Sequence, residues 1–271
     1  TQPMQKVIKS TNLNKDLSDI LNQLSFDKLF ILTDENTEKL CYPFIKDNEQ
    51  VAKAGKIIIK SGDDNKNIET LSSIWRYLSE NGATRHSLLI NLGGGMLTDI
   101  GGFAAASFKR GIKCINIPTT LLGAVDAAVG GKTGINFNGL KNEIGAFAPA
   151  ETVLIDSVFF KSLDHQNFLS GYAEMIKHGL IDSDKEWKAT VSFDMEEIDY
   201  DKLKQLVVDS VAVKERIVEI DPFEKGTRKA LNLGHTIGHA FESLSYVLIR
   251  PIQHGYAVAW GIICELYLPT K

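Results

Sequence analysis

Glu174 in GYAEMIKHG, His235 and His239 in LNLGHTIGHAFE, and His254 in IQHGYAVAWG are residue types that hold a divalent metal. A catalytic zinc takes about three protein ligands of histidine and carboxylate type and keeps one position for substrate. His235 and His239 are four residues apart, so a helix puts both on one face. Without the glutamate of HExxH, that spacing equally suits two surface or core histidines. His178, four residues after Glu174, is a further ligand type that spacing does not exclude.

Anion binding is the second chemistry. Gly93, Gly94 and Gly95 precede Thr98 and Asp99 and a helix-like DIGGFAAASF. Glycines there let backbone N–H groups approach an anion, and a helix N-terminus adds a favourable dipole, which together make a pyrophosphate cradle. The same glycines also serve a tight turn with close helix–strand packing. The series is not GxGxxG, so the ordinary dinucleotide fingerprint is absent. Asp34, at the end of a strand-like run, either binds a ribose hydroxyl or caps a helix.

PTTLLGAVDAAVGGKTGIN, residues 118–136, contains GGKT, which invites a phosphate-loop reading. That reading fails because the motif needs a glycine where Asp126 stands. Thr119, Thr120 and Lys132 still offer donors to phosphate or ribose oxygens. Lys214 shares a helical stripe with Leu203, Val207, Ser210 and Ile217, so its charge faces the interior side, either to snorkel or to meet an anionic ligand. Arg110, Lys132, Lys141, Lys177 and Arg228 also lie in or beside these motifs, which implies an anionic substrate.

The elements that must position these groups change type along the chain. From Lys28 to Asp156, apolar runs at 29–34, 56–62, 87–95, 113–120 and 152–156 alternate with segments of helical length. That alternation predicts a mostly parallel sheet with helices on its faces. Beyond it the pattern is helical, including a long segment around Leu231 to Leu244. The predicted class is an α/β N-terminal domain followed by an all-α domain, with the boundary near Val158–Leu163 and a small-molecule cleft between them.

The 271 residues are 44% hydrophobic and 24% charged, too apolar for disorder. The net charge of −4 excludes a global positive field that would draw the chain to nucleic acid or anionic lipid. Cys41, Cys114 and Cys264 lack CxxC spacing, which argues against a disulfide framework or thiolate site and fits a reducing cytosol. No apolar run reaches the roughly 20 residues of a membrane span, and Thr1 to Ser10 has no signal-peptide core. A cytoplasmic location is expected.

Taken together, GGGMLTDIGGF, FKRGI, PTTLLGAVDAAVGGKTGIN, LKNEIGAF, GYAEMIKHGL, KGTRKALNLGHTIGHAFE and HGYAVAWG resemble, in order, the motif series of 3-dehydroquinate synthases, over roughly Lys28 to Gly261. The resemblance implies a homodimer with an NAD-binding α/β domain over 1–160, a helical domain over 161–271, and zinc, or cobalt in its place, in the cleft. Motif by motif, it implies Glu174, His235 and His254 as metal ligands and moves His239 to the substrate side. Gly94, Gly95, Asp99, Thr119 and Thr120 match dinucleotide positions, with Asp34 and Asn36 near the adenosine end and Lys66 a looser match. Asp126, Lys132, Lys141, Asn142, Lys177, Lys214, Arg228 and Asn232 match substrate-side positions. Of these, Lys132, Lys177 and Lys214, with His239, carry the catalytic roles. Arg110 matches an arginine that reaches the substrate of the partner subunit.

The implied reaction converts 3-deoxy-D-arabino-heptulosonate 7-phosphate into 3-dehydroquinate and phosphate, a step of the shikimate pathway. It proceeds by transient oxidation by NAD+, β-elimination, re-reduction and aldol closure. Two features depart from the family pattern. Tyr256 and Trp260 replace the glutamate and isoleucine of HGEAVAIG, which puts the surroundings of the third ligand in question. Family members also continue past the equivalent of Lys271, so one substrate lysine has no match and the helical domain is expected to be incomplete, either because the sequence is partial or because the closing helices are absent and the cleft is open. The competing readings are another sugar-phosphate cyclase, a metal-dependent polyol dehydrogenase of the glycerol dehydrogenase kind, and a noncatalytic binding protein.

Overall fold

A computed structural model describes residues 5–268, and every structural statement below concerns these residues. The stretch before Gln5 and the expectation about the chain's end at Lys271 lie outside them. The chain divides into two compact units: one runs to Thr119 and resumes over Ala127–Ser162, and the other joins Thr120–Asp126 to the chain from Leu163 onward.

The first unit contains β1 (Lys6–Lys9), α1 (Leu13–Gln23), β2 (Leu29–Asp34), α2 (Glu35–Leu40), α3 (Glu49–Ala52), β3 (Gly55–Ile59), α4 (Ile68–Glu80), β4 (Leu88–Gly93), α5 (Gly95–Ser107), β5 (Lys113–Pro118), β6 (Lys132–Phe137), β7 (Leu140–Phe147) and β8 (Thr152–Ile155). Six strands form one sheet in the order β1-β8-β5-β4-β2-β3, and every neighbouring pair is parallel. β2, β4 and β8 are buried along their whole length, as a sheet covered on both faces requires. Their unbroken apolar runs are why the sequence reads them as strands.

After β2 the chain places β3 on one side of it and then returns to place β4 on the other. Adjacent connections diverge there and leave a crevice at the carboxyl ends of β2 and β4, the usual ligand position in an open α/β sheet. Asp34 closes β2, and the run of glycines at 93–95 closes β4.

Sequence pattern did not reveal β1 or the β6–β7 hairpin. β1 is a short edge strand, and β7 is almost wholly exposed, so neither carries the apolar run used to find the others. A signal was present in Asn138-Gly139, whose φ values of 50° and 79° make the tight turn that such a pair favours.

The second unit contains α6 (His165–Asp182), α7 (Asp184–Val191), α8 (Tyr200–Ile220), α9 (His235–Val247) and α10 (His254–Tyr267). The stripe Leu203, Val207, Ser210, Lys214 and Ile217 is the buried face of α8. The helical segment expected from Leu231 instead breaks at Gly234, and α9 begins at His235. Gly234 has φ +80°, and a Cβ there would lie 2.5 Å from Ile262 Cγ1 and 2.6 Å from the Val258 carbonyl. Both the backbone turn and the closeness of α10 therefore require glycine.

α10 meets α6 just as closely: a Cβ on Gly255 would stand 1.9 Å from the Ser170 carbonyl oxygen, and the Gly255 N–H donates to Ser170 Oγ at 3.0 Å. Gly255→Ala is expected to destabilise the protein by roughly 1–3 kcal/mol, the usual range for overpacking, despite alanine's better helix propensity. Urea unfolding checks this, and an unchanged midpoint would mean that the two helices are not in contact there.

Candidate metal and anion sites

α6 supplies Glu174, α9 supplies His235 and His239 from its first turns, and α10 supplies His254 as its first residue. Ligand atoms of Glu174, His235 and His254 all lie within 4.8 Å of one another. Glu174 has no accessible surface, and His254 Nε2 is 3.7 Å from its Oε1. The Lys177 ammonium lies against Oε2, yet neither carboxylate oxygen has a hydrogen bond of acceptable geometry. A fully buried carboxylate in that state is costly unless a cation completes it. Two imidazoles and such a carboxylate are the donor set of a three-ligand zinc site.

The ring nitrogens are oriented to match. His254 Nδ1 is 3.3 Å from Glu242 Oε2, which directs Nε2 toward Glu174. His235 Nδ1 is 3.4 Å from the Leu233 carbonyl, which likewise leaves Nε2 to a ligand. Burial, reinforced by the Lys177 charge, pushes His235 down to about 4, so its imidazole is neutral near pH 7. Burial also opposes protonation of His254, but the Glu242 hydrogen bond and the Glu174 charge outweigh it and hold His254 above its ordinary value. For Glu174 itself, burial opposes ionisation, and Lys177 and the two histidines overcome it.

His239, Glu242 and His254 form a second group of ligand types at the same spacing. His239 is 62% exposed at its side chain and 4.0 Å from Glu242 Oε2. The buried Glu174 group fits an ion better, because Glu242 already bonds an imidazole whereas Glu174 has no directed partner.

Asp126 lies in a π-helical turn, Gly123–Ala127, and takes Lys214 as its partner. Lys214 Nζ is 2.5 Å from Asp126 Oδ1 and also contacts the Asp126 carbonyl. The interior-facing Lys214 thus meets a carboxylate of its own unit rather than snorkelling to the edge. Burial disfavours both charges; Lys214 and Lys177 nevertheless hold Asp126 well below the usual carboxylate range, while Lys214 is lowered. His178 Nδ1 is 2.7 Å from Ser210 Oγ, one turn before Lys214, so His178 ties α6 to α8 and does not join the ligand group. Arg228 is buried and donates to the Pro222 carbonyl at 2.6 Å, and Asn232 Nδ2 bonds Glu224. Thr120 Oγ1 accepts from the Gly123 N–H at 3.0 Å.

In the first unit, Gly94 is the N-cap of α5, with no side chain capping that end, and Gly95 is its first residue. The first amides of a helix have no intrahelical acceptor, and here no side chain caps them, a donor set suited to a pyrophosphate. Thr119 is buried, and its N–H donates to the Gly93 carbonyl at 3.0 Å. Asp34 does cap a helix: its Oδ1 accepts from the Asn36 and Thr37 N–H groups at 2.9 and 2.8 Å. Buried Lys66 joins two expected site residues, 3.0 Å from Asp99 Oδ2 and 2.7 Å from Asn142 Oδ1. Lys141 is 3.6 Å from Asp63, and Lys132, exposed, begins β6. Arg110 is exposed in a turn where Lys109, Arg110 and Gly111 all have positive φ.

Sequence reasoning passed over Glu242. Its signal was position, since His235, His239 and Glu242 stand at i, i+4 and i+7 on one helix face.

The family model of the 3-dehydroquinate synthase N-terminal region matches residues 56–170, and that of the C-terminal region matches 171–271. The chain is 59% identical to the 3-dehydroquinate synthase of Parabacteroides distasonis, over 98% of this chain and 76% of that protein. A solved 2-epi-5-epi-valiolone synthase from Streptomyces hygroscopicus, with NAD+ and Zn2+ bound, superposes with a TM-score of 0.78 at 26% identity, covering 97% of this chain and 73% of that one. A 2-deoxy-scyllo-inosose synthase complexed with carbaglucose-6-phosphate, NAD+ and Co2+ has a TM-score of 0.84 at 24% identity, over 95% and 70%, and shows the shared fold.

The Asp126–Lys214 pair makes stability depend on pH in a definite sense. With its folded pKa depressed, Asp126 contributes stability that is complete above its unfolded value of about 3.9 and is lost as pH falls toward the folded value. Asp126→Asn is expected to cost about 1–3 kcal/mol at pH 7, less than for a fully buried pair because Asp126 is partly exposed. The deficit should shrink below about pH 4. Urea unfolding at both pH values tests this, and a deficit independent of pH would reject the ionic account.

Proposed function

The chain belongs to the 3-dehydroquinate synthase family, and from that premise we propose that Glu174, His235 and His254 hold a divalent cation, zinc or cobalt, and that the crevice at β2 and β4 holds NAD+. The activity is conversion of 3-deoxy-D-arabino-heptulosonate 7-phosphate to 3-dehydroquinate and phosphate. When bound, NAD+ supplies a hydride acceptor that is regenerated within the turnover, and the cation supplies Lewis acidity to substrate oxygens.

The chain's own residues supply charge, orientation and proton routes. Lys177 and Lys214 place ammonium groups beside the Glu174 and Asp126 carboxylates, the first buried and the second partly exposed, and Arg228 adds a guanidinium. Such a set meets the carboxylate and phosphate of the substrate with charge-assisted hydrogen bonds. Lys214, held against Asp126, is a catalytic residue by motif match. His239, exposed beside the ligand group, is suited to exchange one with water. Asn232 and Asp126, with Lys132, Lys141 and Asn142 of the first unit, are substrate residues by motif match. In the first unit, Gly94, Gly95, Asp99, Thr119, Asp34, Asn36 and Lys66 serve the dinucleotide, and so does Thr120. Arg110 serves the partner copy of a homodimer, for which an exposed side chain on a left-handed turn is suitable.

The observation that carries the metal reading is Glu174, wholly buried, without a directed hydrogen bond, and facing two oriented imidazoles. Protein supplied with NAD+, zinc and the heptulosonate phosphate is expected to release inorganic phosphate with no net NADH. Net NADH from an alcohol, without phosphate release, would instead mark a polyol dehydrogenase. His254→Ala is expected to lose bound metal and turnover together, measured by metal analysis and phosphate release. Stoichiometric zinc in that variant would remove His254 from the ligand set.

A further inference from the structure

Glu242 has no place in the ligand or substrate sets above, yet it is a buried carboxylate with its side chain only 8% exposed. Its Oε2 stands 3.3 Å from His254 Nδ1 and 4.0 Å from His239 Nε2. On the far side of the same ring, His254 Nε2 is 3.7 Å from Glu174 Oε1. The His254 imidazole therefore lies between two carboxylates, one at each nitrogen. We infer that Glu242 is a positioning residue for the metal centre, one that holds His254 in the tautomer with the proton on Nδ1 and the Nε2 lone pair presented to the cation. The inference rests on the metal reading given above.

The physical basis is that neutral imidazole has one donor and one acceptor nitrogen, and the partner of the donor decides which is which. A carboxylate can only accept, so Nδ1 must be the protonated nitrogen. The anion also raises the basicity of the opposite nitrogen, and a ring clamped at Nδ1 loses less freedom when Nε2 is bound. Glu242 lies in α9 one turn beyond His239, and burial of its side chain limits the directions its carboxylate can take.

This arrangement also accounts for a departure noted in the sequence. Tyr256, which stands where the family motif has glutamate, lines an apolar groove with Leu169, Tyr172 and Phe193. The carboxylate behind His254 comes from α9 instead, so the exchange at 256 leaves the orientation of the ligand intact.

The test uses the whole chain freed of metal: wild type, Glu242→Gln, Glu242→Asp and Glu174→Gln. Zinc affinity is read by competition with a chromophoric chelator at about pH 8, where free histidine is neutral, together with the visible spectrum of the Co2+-loaded forms. Wild type is expected to bind one zinc, and Glu242→Gln to bind it about 10–100-fold more weakly. That variant should show a shifted cobalt spectrum and an unchanged melting temperature of the metal-free protein. Glu242→Asp, which keeps the charge on a shorter arm, is expected to recover part of the affinity.

An affinity within twofold of wild type, with the same cobalt spectrum, would overturn the inference for Glu242 and leave the metal site standing. So would a loss of affinity matched by metal-free instability with the cobalt spectrum unmoved. No zinc bound by wild type would overturn the metal reading and this inference with it. Zinc kept by Glu174→Gln and abolished in Glu242→Gln would make Glu242 a ligand and overturn its positioning role. Should Glu242→Gln fail to fold, 15N shifts of His254 in the zinc-loaded wild type decide: a protonated Nδ1 with metal on Nε2 supports the inference, and metal on Nδ1 overturns it.

Discussion

A carboxylate with no access to water keeps its charge only if its surroundings supply compensating charge, and Glu174 in the middle of α6 sets that requirement for the helical unit. Lys177 answers it with an ammonium from the same helix, and His235 and His254 bring ring nitrogens to it from α9 and α10. Because Lys177 gives contact without a directed bond, the carboxylate still has lone pairs to place. The unit's other charges follow from the same centre. Lys177 also lowers Asp126 and contributes to the low value of His235, so the site is one electrostatic group rather than a set of independent residues.

Bringing three helices to one carboxylate demands close backbone approach. The contact of Gly255 with Ser170 seats the first residue of α10 beside the middle of α6. The left-handed turn at Gly234 lets α9 start against α10, and Glu265 of α10 accepts from the Gly234 and Ile237 N–H groups at 2.7 and 3.3 Å. That carboxylate therefore acts as the cap that α9 lacks in its own sequence. Each imidazole thus occupies the first turn of a helix whose start is held by a residue from another helix. In the first unit the logic differs, since position comes from strand order. Asp34 and Gly93 are separated by many residues but end neighbouring parallel strands where the connections diverge.

Much of this is legible in the sequence. Strands β2, β4, β5 and β8 announce themselves because a sheet covered on both faces needs continuous Val, Ile and Leu. The buried stripe of α8, Lys214 included, follows from helical period alone. The exposed β6–β7 hairpin carried little apolar signal, so its Asn-Gly turn was the only clue. The expected helix through Leu231 was wrong because helical periodicity does not register a glycine forced to positive φ by its neighbour.

The sequence by itself determined the class of fold, the family and the inventory of chemistry, since these depend on residue type, period and motif order. Spacing left open whether His178, His239 or His254 joined Glu174, because it fixes only which side chains share one helix face, and only the motif match named His254. Tertiary structure separated them by direction. His178 turns to Ser210, His239 faces outward beside Glu242, and His254, distant in sequence, arrives at Glu174 on the start of another helix. Which nitrogen a ring presents, and which carboxylate holds it, are properties of packing between helices that no one-dimensional pattern contains.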